Sequence, residues 1–267
     1  MFEYCVNMNP SIKVKPKYNI LRHCGTIYSM AMYYKYNPDA KVKTVIERAG
    51  RYLQKEALLP VSDIDNMKAI WSIPEVNRSG NPMQAKLGGS GLGLVALVSL
   101  ENITPGFTSP SDLNGLGKFI VYMQKENGSF YSKYTPSLGG RSDNWTSLYY
   151  PGEAALGLIM LYEKDSSKIW LESAYKALQY LAISRKKSNN VPADHWALLA
   201  TERLLSAENS NDLKISRELL TNHAIQICES ILRDQVINPD KPKYNGGFHE
   251  DGKTTPSATR LEGLLAA

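Results

Sequence analysis

A unit of two helices joined by a short polar turn recurs along the chain, and this repeat constrains the fold more than any other feature. "GTIYSMAMYYKYNPDAKVKTVIERAGRYLQK" from Gly25 and "GEAALGLIMLYEKDSSKIWLESAYKALQYLAIS" from Gly152 follow the same pattern. Each begins with glycine, runs through small apolar residues to a tyrosine, turns, and continues to Tyr-Leu. Similar units start at Gly88 and Asp194, and a fifth starts at Ser257. Repetition of this kind predicts an array or ring of helical hairpins.

The two helices of each hairpin differ in where their apolar residues fall. The first is rich in Ala, Gly and Leu around most of its circumference, which is typical of a buried helix. The second is amphipathic, as in "VKTVIERAGRYLQKE", which is typical of a helix with one face in water. The predicted inner helices are residues 22–35, 88–101, 150–163, 194–206 and 257–267. The predicted outer helices are residues 41–56, 111–125, 167–185 and 213–235.

The connections between hairpins are long, at residues 57–87 and 127–148, whereas the turns inside hairpins are short. This alternation favours a closed ring over an evenly spaced solenoid. The sequence therefore predicts an all-α fold, an α/α toroid of about four and a half hairpins forming a single domain over residues 1–267. Because the last apolar helix stops without a cap, we expect the chain to be a fragment or domain of a longer protein, or to close its ring with another chain as a homo-oligomer.

The alternation of inner and outer helices resembles the α/α toroids of six-hairpin glycosidases, and of terpenoid cyclases and protein prenyltransferases. "GKFIVYMQKENGSF" (residues 117–130) is similar to the Gln-x3-Gly-x-aromatic signature that follows outer helices in terpenoid cyclases. Physically, Gln124 is suited to satisfy free groups at a helix end, while Gly128 permits a turn and Phe130 packs under the ring. A looser copy has the same three residue types: Gln235, Gly246 and Phe248.

The composition excludes several classes of protein. The chain has 43% hydrophobic and 21% charged residues, and its net charge of +5 comes from scattered basic side chains. Nucleic acid is therefore not an expected partner. No apolar stretch reaches the ~18 residues that a membrane span needs. Since the N-terminal "MFEYCVNMNP" has no signal-peptide pattern, a cytoplasmic location is predicted.

Neither a metal nor a cofactor is expected. The three cysteines, Cys5, Cys24 and Cys228, show no CxxC spacing and cannot all pair. Asp63 and Asp65 could share a cation, but further ligands are not visible at suitable spacing.

If every hairpin returns, the N-termini of the inner helices meet at one rim, and the side chains there are the functional candidates. Carboxylates or a histidine recur at this place in four of the five units. The candidates for acid–base chemistry are Glu153, Asp194, His23 and His195. The candidates for substrate binding are Arg22, Tyr149, Tyr150, Trp145, Trp196, Arg260 and Glu262. The aromatic members suit the face of a sugar ring.

Each candidate also has a structural interpretation. A carboxylate such as Glu153 in a first helical turn is stabilised by the free N–H groups there. Asp194 is a good N-cap, and His23 and His195 are also compatible with core positions. Gly88 and Gly89 fit close helix packing better than a phosphate cradle, because no strand is predicted before them.

The leading hypothesis is a carbohydrate-active enzyme, either a glycoside hydrolase or a related sugar lyase or epimerase. Glycoside hydrolysis needs two carboxyl groups, one of them protonated. Glu153 enters an apolar helix beside tyrosines, so its pKa is expected to rise and fit it as the acid, with Asp194 as base or nucleophile. An epimerase would instead use His23 and His195 as its acid–base pair.

Two other classes stay open. A helical ring without catalytic activity could bind a glycan or a protein. Terpenoid or prenyl chemistry is disfavoured, because the sequence has no DDxxD or DxDD motif and no zinc-ligand set. For the leading hypothesis, the widest pocket is expected at the N-terminal rim, lined by His23, Tyr150, Glu153, Asp194 and Trp196. Loops 135–147 and 246–255 would add polar groups, among them His249, Glu250 and Asp251.

Overall fold

The computed structural model describes most of the chain. It covers residues 2, 7, 9–14, 18–62, 64–74, 81–188, 190–207, 214–240, 242–248 and 254–267. The inner helices are α1 (Ile20–Tyr36), α3 (Leu87–Ile103), α5 (Tyr150–Asp165), α7 (His195–Ser206) and α9 (Thr254–Ala266). The outer helices are α2 (Ala40–Glu56), α4 (Pro110–Tyr122), α6 (Lys168–Arg185) and α8 (Arg217–Arg233). All nine were predicted, and each end lies within four residues of its predicted position, so the all-α, α/α toroid prediction is confirmed in outline.

Contacts at matched levels show that neighbouring inner helices run parallel. A Cβ atom built at Gly91 of α3 would lie 2.8 Å from the backbone N of Ala154 in α5. About one turn further along both helices, a Cβ atom at Gly157 of α5 would lie 3.3 Å from the Leu94 side chain of α3. In the same way, Gly152 brings the first turn of α5 against Ala197 in the first turn of α7. The N-termini of α3, α5 and α7 therefore share one end of the ring.

A small antiparallel sheet departs from the all-α prediction. Its order is β1 (Leu58–Pro60), β2 (Lys68–Ser72), β3 (Gln84–Lys86), β4 (Lys133–Thr135) and β5 (Gly140–Ser142). These strands lie in the two long connections that were predicted as loops. Strands of three to five residues are too short to display the alternation that identifies a strand in a sequence. Since β3 leads straight into α3, the sheet lies at the N-terminal end of that inner helix.

The glutamine motif links two outer helices. The side chain of Gln124 donates to the carbonyl of Ser173 in α6 at 2.9 Å and to Gly128 O at 3.2 Å, while Ser173 Oγ donates back to Gln124 Oε1 at 2.7 Å. Gly128 has a φ of 89°, which favours glycine, and Phe130 is buried. The looser copy is similar, because Gln235 donates to Gly246 O at 2.9 Å. The motif therefore has an architectural role.

The core is one continuous cluster of apolar side chains that extends from Ile20 to Phe248. The middle inner helices contribute most of it: α3 is buried from Leu87 to Leu100, and α5 is buried from Gly152 to Tyr162. Among the described residues, no helix is long and apolar enough to cross a membrane.

Candidate functional site

A buried carboxyl group without a partner lies at the N-terminal end of α5. Pro151, the second residue of this helix, has a fixed backbone angle that suits a first turn. Glu153 belongs to the same turn and is only 5% exposed. Its Oε2 atom is enclosed and makes no hydrogen bond to any described residue. Burial raises the pKa of Glu153 well above its usual value, and the nearby negative charge of Asp194 raises it further. Both causes favour the protonated, neutral form of this carboxyl group.

The surroundings of Glu153 come from three inner helices. A Cβ atom on Gly88 of α3 would overlap both the Glu153 carboxyl group and the Tyr150 ring, so glycine makes room for them. On the α1 side, the Glu153 charge adds to burial in raising the pKa of the Cys24 thiol. Tyr150 has its phenol pKa raised by burial and by Glu153. Apolar and neutral groups thus enclose the acid.

Asp194, predicted as the base or nucleophile, is held at the N-terminal end of α7 by two hydrogen bonds. This residue is fully buried. Its Oδ1 atom accepts from the backbone N–H of Ala197 at 3.2 Å, as an N-cap of α7, and its Oδ2 atom accepts from Arg185 at 3.0 Å. Arg185 also lies 3.4 Å from Nε2 of His223 in α8. Both carboxylate oxygens are thus hydrogen-bonded, and the charge of Asp194 adds to burial in raising the pKa of Glu153.

His195, the first residue of α7, is buried and neutral. Burial is the larger cause and the positive charge of Arg260 the smaller, and together they lower its pKa to about 4. Its ring packs between Tyr149 and Trp196, with centroids 5.6 and 4.7 Å away, and Nε2 has no hydrogen bond within the described part of the chain. A neutral imidazole with a free nitrogen is chemically able to accept a proton.

The pKa of His195 predicts an acid-dependent loss of stability. Unfolded His195 takes up a proton near pH 6.5, whereas the folded residue does so only near pH 4. Its contribution is therefore complete above pH 6.5 and disappears as the pH falls to 4. Between pH 7 and 4, urea unfolding of the wild type is expected to lose about 2 kcal/mol more than that of His195→Gln. Parallel pH curves for the two proteins would contradict this assignment.

The two candidates on α9 contact the same end of the ring. Gly263 lies against His195, and the side chain of Glu262 accepts a hydrogen bond from Tyr28 of α1. Burial raises the pKa of Glu262. Arg260 donates weakly to Pro256 O at 3.4 Å, and its buried Nε atom has no acceptor among the described residues. Both residues therefore lie on the His195 side of the rim.

Two candidates on α1 do not join this group. Nε2 of His23 donates to the carbonyl of Ala49 in the outer helix α2 at 3.0 Å, and its ring packs on Tyr18 and Tyr52. Burial lowers the pKa of His23. Its bonded nitrogen therefore faces the outer helix. This placement gives no support to a pairing of His23 with His195 across a sugar, which an epimerase would need. Arg22 is exposed, and its side chain makes no hydrogen bond or ion pair to a described residue.

The exposed aromatic candidates lie above the buried group. Trp145 is 51% exposed and its ring lies 5.6 Å from that of Tyr150. On its other side, the Lys133 ammonium group lies 4.8 Å from the centroid of the Trp145 ring. Tyr149 is also partly exposed beside His195, while Trp196 is buried and packs 5.9 Å from Tyr28. Aromatic rings thus connect the Glu153 side chain, through Tyr150, to the exposed Trp145.

The open cavities found among the described residues lie away from the predicted site. Three cavities, of about 420, 500 and 620 Å³, are lined by none of the eleven candidate residues. The largest of the three opens toward the C-terminal ends of the inner helices, next to Lys35, Ile103 and Arg203. At the N-terminal rim, by contrast, Tyr150 and Trp196 are buried.

Sequence reasoning missed Arg185, which was counted only among the scattered basic side chains. Its side chain is instead only 12% exposed and pairs with Asp194. No local signal could identify this pair, because burial of the arginine depends on the packing of α6 against α8. Asp63 and the loop residues His249, Glu250 and Asp251 lie outside the described residues. Within the described ranges, no cluster of three His, Cys, Asp or Glu side chains could hold a metal ion.

Comparisons with known proteins identify the fold. No protein-family model matches the chain, and no curated protein matches it in sequence. Among solved structures, the chain is similar to a GH76 alpha-mannanase of Bacteroides thetaiotaomicron, with a TM-score of 0.67 and 11% identity over 95% of this chain and 70% of that one. It is also similar to a D-mannose isomerase, with a TM-score of 0.59 and 13% identity over 93% and 71% of the two chains.

A third similar structure is a sugar epimerase from a ruminal bacterium, with a TM-score of 0.56 and 11% identity over 82% of this chain and 61% of that one. At such low identity these similarities show the fold alone. The fold is an α/α toroid, as predicted from the inner and outer helices.

Proposed function

We propose that this chain is a carbohydrate-active enzyme in which Glu153 donates a proton to a sugar oxygen. The observation that carries the proposal is the carboxyl group of Glu153, which is buried and makes no hydrogen bond at Oε2 to any described residue, and whose raised pKa favours the protonated form. A structural carboxyl group in a core usually has a partner. A protonated acid close to neutral pH is what general acid catalysis of glycosidic bond cleavage needs.

In the hydrolytic form of this proposal, the Glu153 proton moves to the glycosidic oxygen as the bond from that oxygen to the anomeric carbon breaks. Water then supplies the hydroxyl group to the anomeric carbon, and the water proton returns to the Glu153 carboxylate. Glu153 thus acts first as the acid and then as the base, because the oxygens of Asp194 are hydrogen-bonded to Arg185 and Ala197. A sugar would reach the carboxyl group by displacing Trp145 and Tyr150, whose rings pack against each other beside it.

A sugar epimerase or isomerase is the second candidate, and the neutral ring of His195 favours it. An imidazole with a free Nε2 could take the proton from the carbon next to a sugar carbonyl, and Glu153 would supply a proton to the carbonyl oxygen. This form needs no second carboxylate. The fold similarity to both a mannanase and sugar-converting enzymes supports either form at the level of sugar chemistry.

The test is turnover on a panel of neutral and acidic mono- and oligosaccharides in D2O, followed by proton NMR. Hydrolysis would produce new reducing-end signals, whereas epimerisation would introduce deuterium at the carbon that loses its proton. Either result supports the proposal and selects the reaction. Binding to a glycan array without turnover of any sugar would instead support the non-catalytic helical scaffold.

A further inference from the structure

Two lysines lie side by side at the edge of the buried acid. Lys86 is the last residue of β3 and comes directly before α3, and Lys133 is the first residue of β4. The two residues are register partners in the antiparallel β3–β4 pair. Opposed residues in such a pair have Cβ atoms roughly 4.5–5.5 Å apart, so the two ammonium-bearing side chains leave the sheet on the same face.

Nothing in the described part of the chain neutralises this pair. Neither ammonium group forms an ion pair or hydrogen bond with a described residue, whereas the nearby Lys125 pairs with Asp143. Like charges placed directly opposite each other in a sheet are destabilising. The pKa of Lys86 is lowered by burial and then by the charge of Lys133, which is the consequence of two cations without a counter-ion. Protein folding alone does not explain why both positions carry lysine.

The lysine pair is continuous with the buried acid. Lys133 lies over the Trp145 ring, and that ring packs on Tyr150. The Tyr150 ring and the Glu153 carboxyl group both lie against Gly88, where a side chain would overlap them. The enclosed Oε2 atom of Glu153, which has no partner among the described residues, therefore lies against the first turn of α3, directly after Lys86. The parallel N-termini of α3, α5 and α7 add partial positive charge at the same end.

We infer that Lys86 and Lys133 bind the anionic group of an acidic sugar whose ring lies on Trp145 beside Glu153. The anionic group is a carboxylate, sulfate or phosphate, since a lysine ammonium group recognises any of these as a point charge. The inference names the substrate class of the proposed enzyme and rests on that proposed function. It also explains the exposed Trp145, because an aromatic face at the surface suits the apolar face of a sugar ring.

The experiment measures binding by isothermal titration calorimetry with four probes: D-glucuronate, glucose 6-sulfate, glucose 6-phosphate and glucose. At least one charged probe is expected to bind at least tenfold more tightly than glucose, and the preferred probe identifies the anionic group. Lys133→Met is expected to weaken binding of that probe about tenfold, while Lys133→Arg retains it. Lys118→Met is the matched control, because it removes one exposed positive charge on α4 and should leave binding unchanged.

Equal affinity for glucose and all three charged probes would overturn the inference. An equal loss in Lys133→Met and Lys118→Met would also overturn it, because it would show a general effect of net charge. Circular dichroism of Lys133→Arg and Lys133→Met separates loss of binding from loss of folding. The proposed function fails separately: lysine-dependent binding of a charged sugar without any turnover would retain this site and reject Glu153 catalysis. If the enzyme instead converted neutral glycans in a Glu153-dependent way and showed no preference for charged sugars, Glu153 catalysis would be retained and the lysine site rejected.

Discussion

Replacing Glu153 with Gln is expected to lower the turnover number on the sugar that the enzyme converts by about 10²- to 10⁴-fold. Glutamine keeps the shape of the side chain in the space left by Gly88 but cannot donate the acidic proton. Substrate affinity should change far less than turnover, because the lost interaction belongs to the transition state. The measurement is steady-state kinetics of the two proteins on the same substrate.

Stability provides the control for this variant. The raised pKa of Glu153 means that the folded protein holds a proton that the unfolded chain releases above about pH 4.5. Its contribution to stability is therefore complete below pH 4.5 and is lost as the pH rises through the folded pKa. Glu153→Gln removes this loss, so it should be at least as stable as the wild type at pH 8. A variant that is less stable at pH 8 with unchanged turnover would identify Glu153 as a structural residue.

Gly91→Ala should strongly destabilise the fold, by about 2–3 kcal/mol in the free energy of unfolding. A Cβ atom on Gly91 would lie 2.8 Å from the backbone N of Ala154 and from the backbone C of Glu153, and 2.9 Å from Glu153 O. These are backbone atoms of α5, so no side-chain rotation can relieve the overlap. The helices must instead move apart, and the first turn of α5 with its carboxyl group would move too. Urea unfolding monitored by circular dichroism measures the effect.

Gly25→Ala is the matched control within another inner helix. A Cβ atom at Gly25 of α1 would meet nothing within 4 Å. Alanine is favoured over glycine inside a helix by roughly 0.5–1 kcal/mol, so this variant should be slightly more stable than the wild type. If both glycine variants changed stability equally, the close contact between α3 and α5 would be wrong.

Much of the fold was predictable because helical periodicity and small-residue content are local signals. The run Leu87–Leu100 is buried all round, as its composition indicates, and each polar turn separates an inner helix from an outer one. The five strands were not predictable in the same way. Leu58–Pro60 and Gly140–Ser142 hold three residues each, and their pairing depends on partners that are distant in sequence.

The site was predictable in part. The acidic residue of the first turn in α5 is located where the repeat placed it, and its burial follows from the apolar helix that it begins. The partners of Asp194 and His23 were not accessible, because Arg185 and Ala49 reach them from outer helices. The lysine pair depends on strand register, which the sequence did not reveal. Local patterns thus located the helix ends, and tertiary packing decided which side chains remain free.

The protonation of Glu153 is the central claim, and carbon NMR of glutamate side-chain carboxyl groups tests it most directly. In 13C-labelled protein, the signal that disappears in Glu153→Gln belongs to this residue and can be followed with pH. Glu47 serves as an internal contrast, because its hydrogen bond from Thr104 lowers its pKa below the usual value of 4.5. We predict that Glu153 titrates well above 4.5, whereas titration at or below 4.5 would contradict its role as the acid.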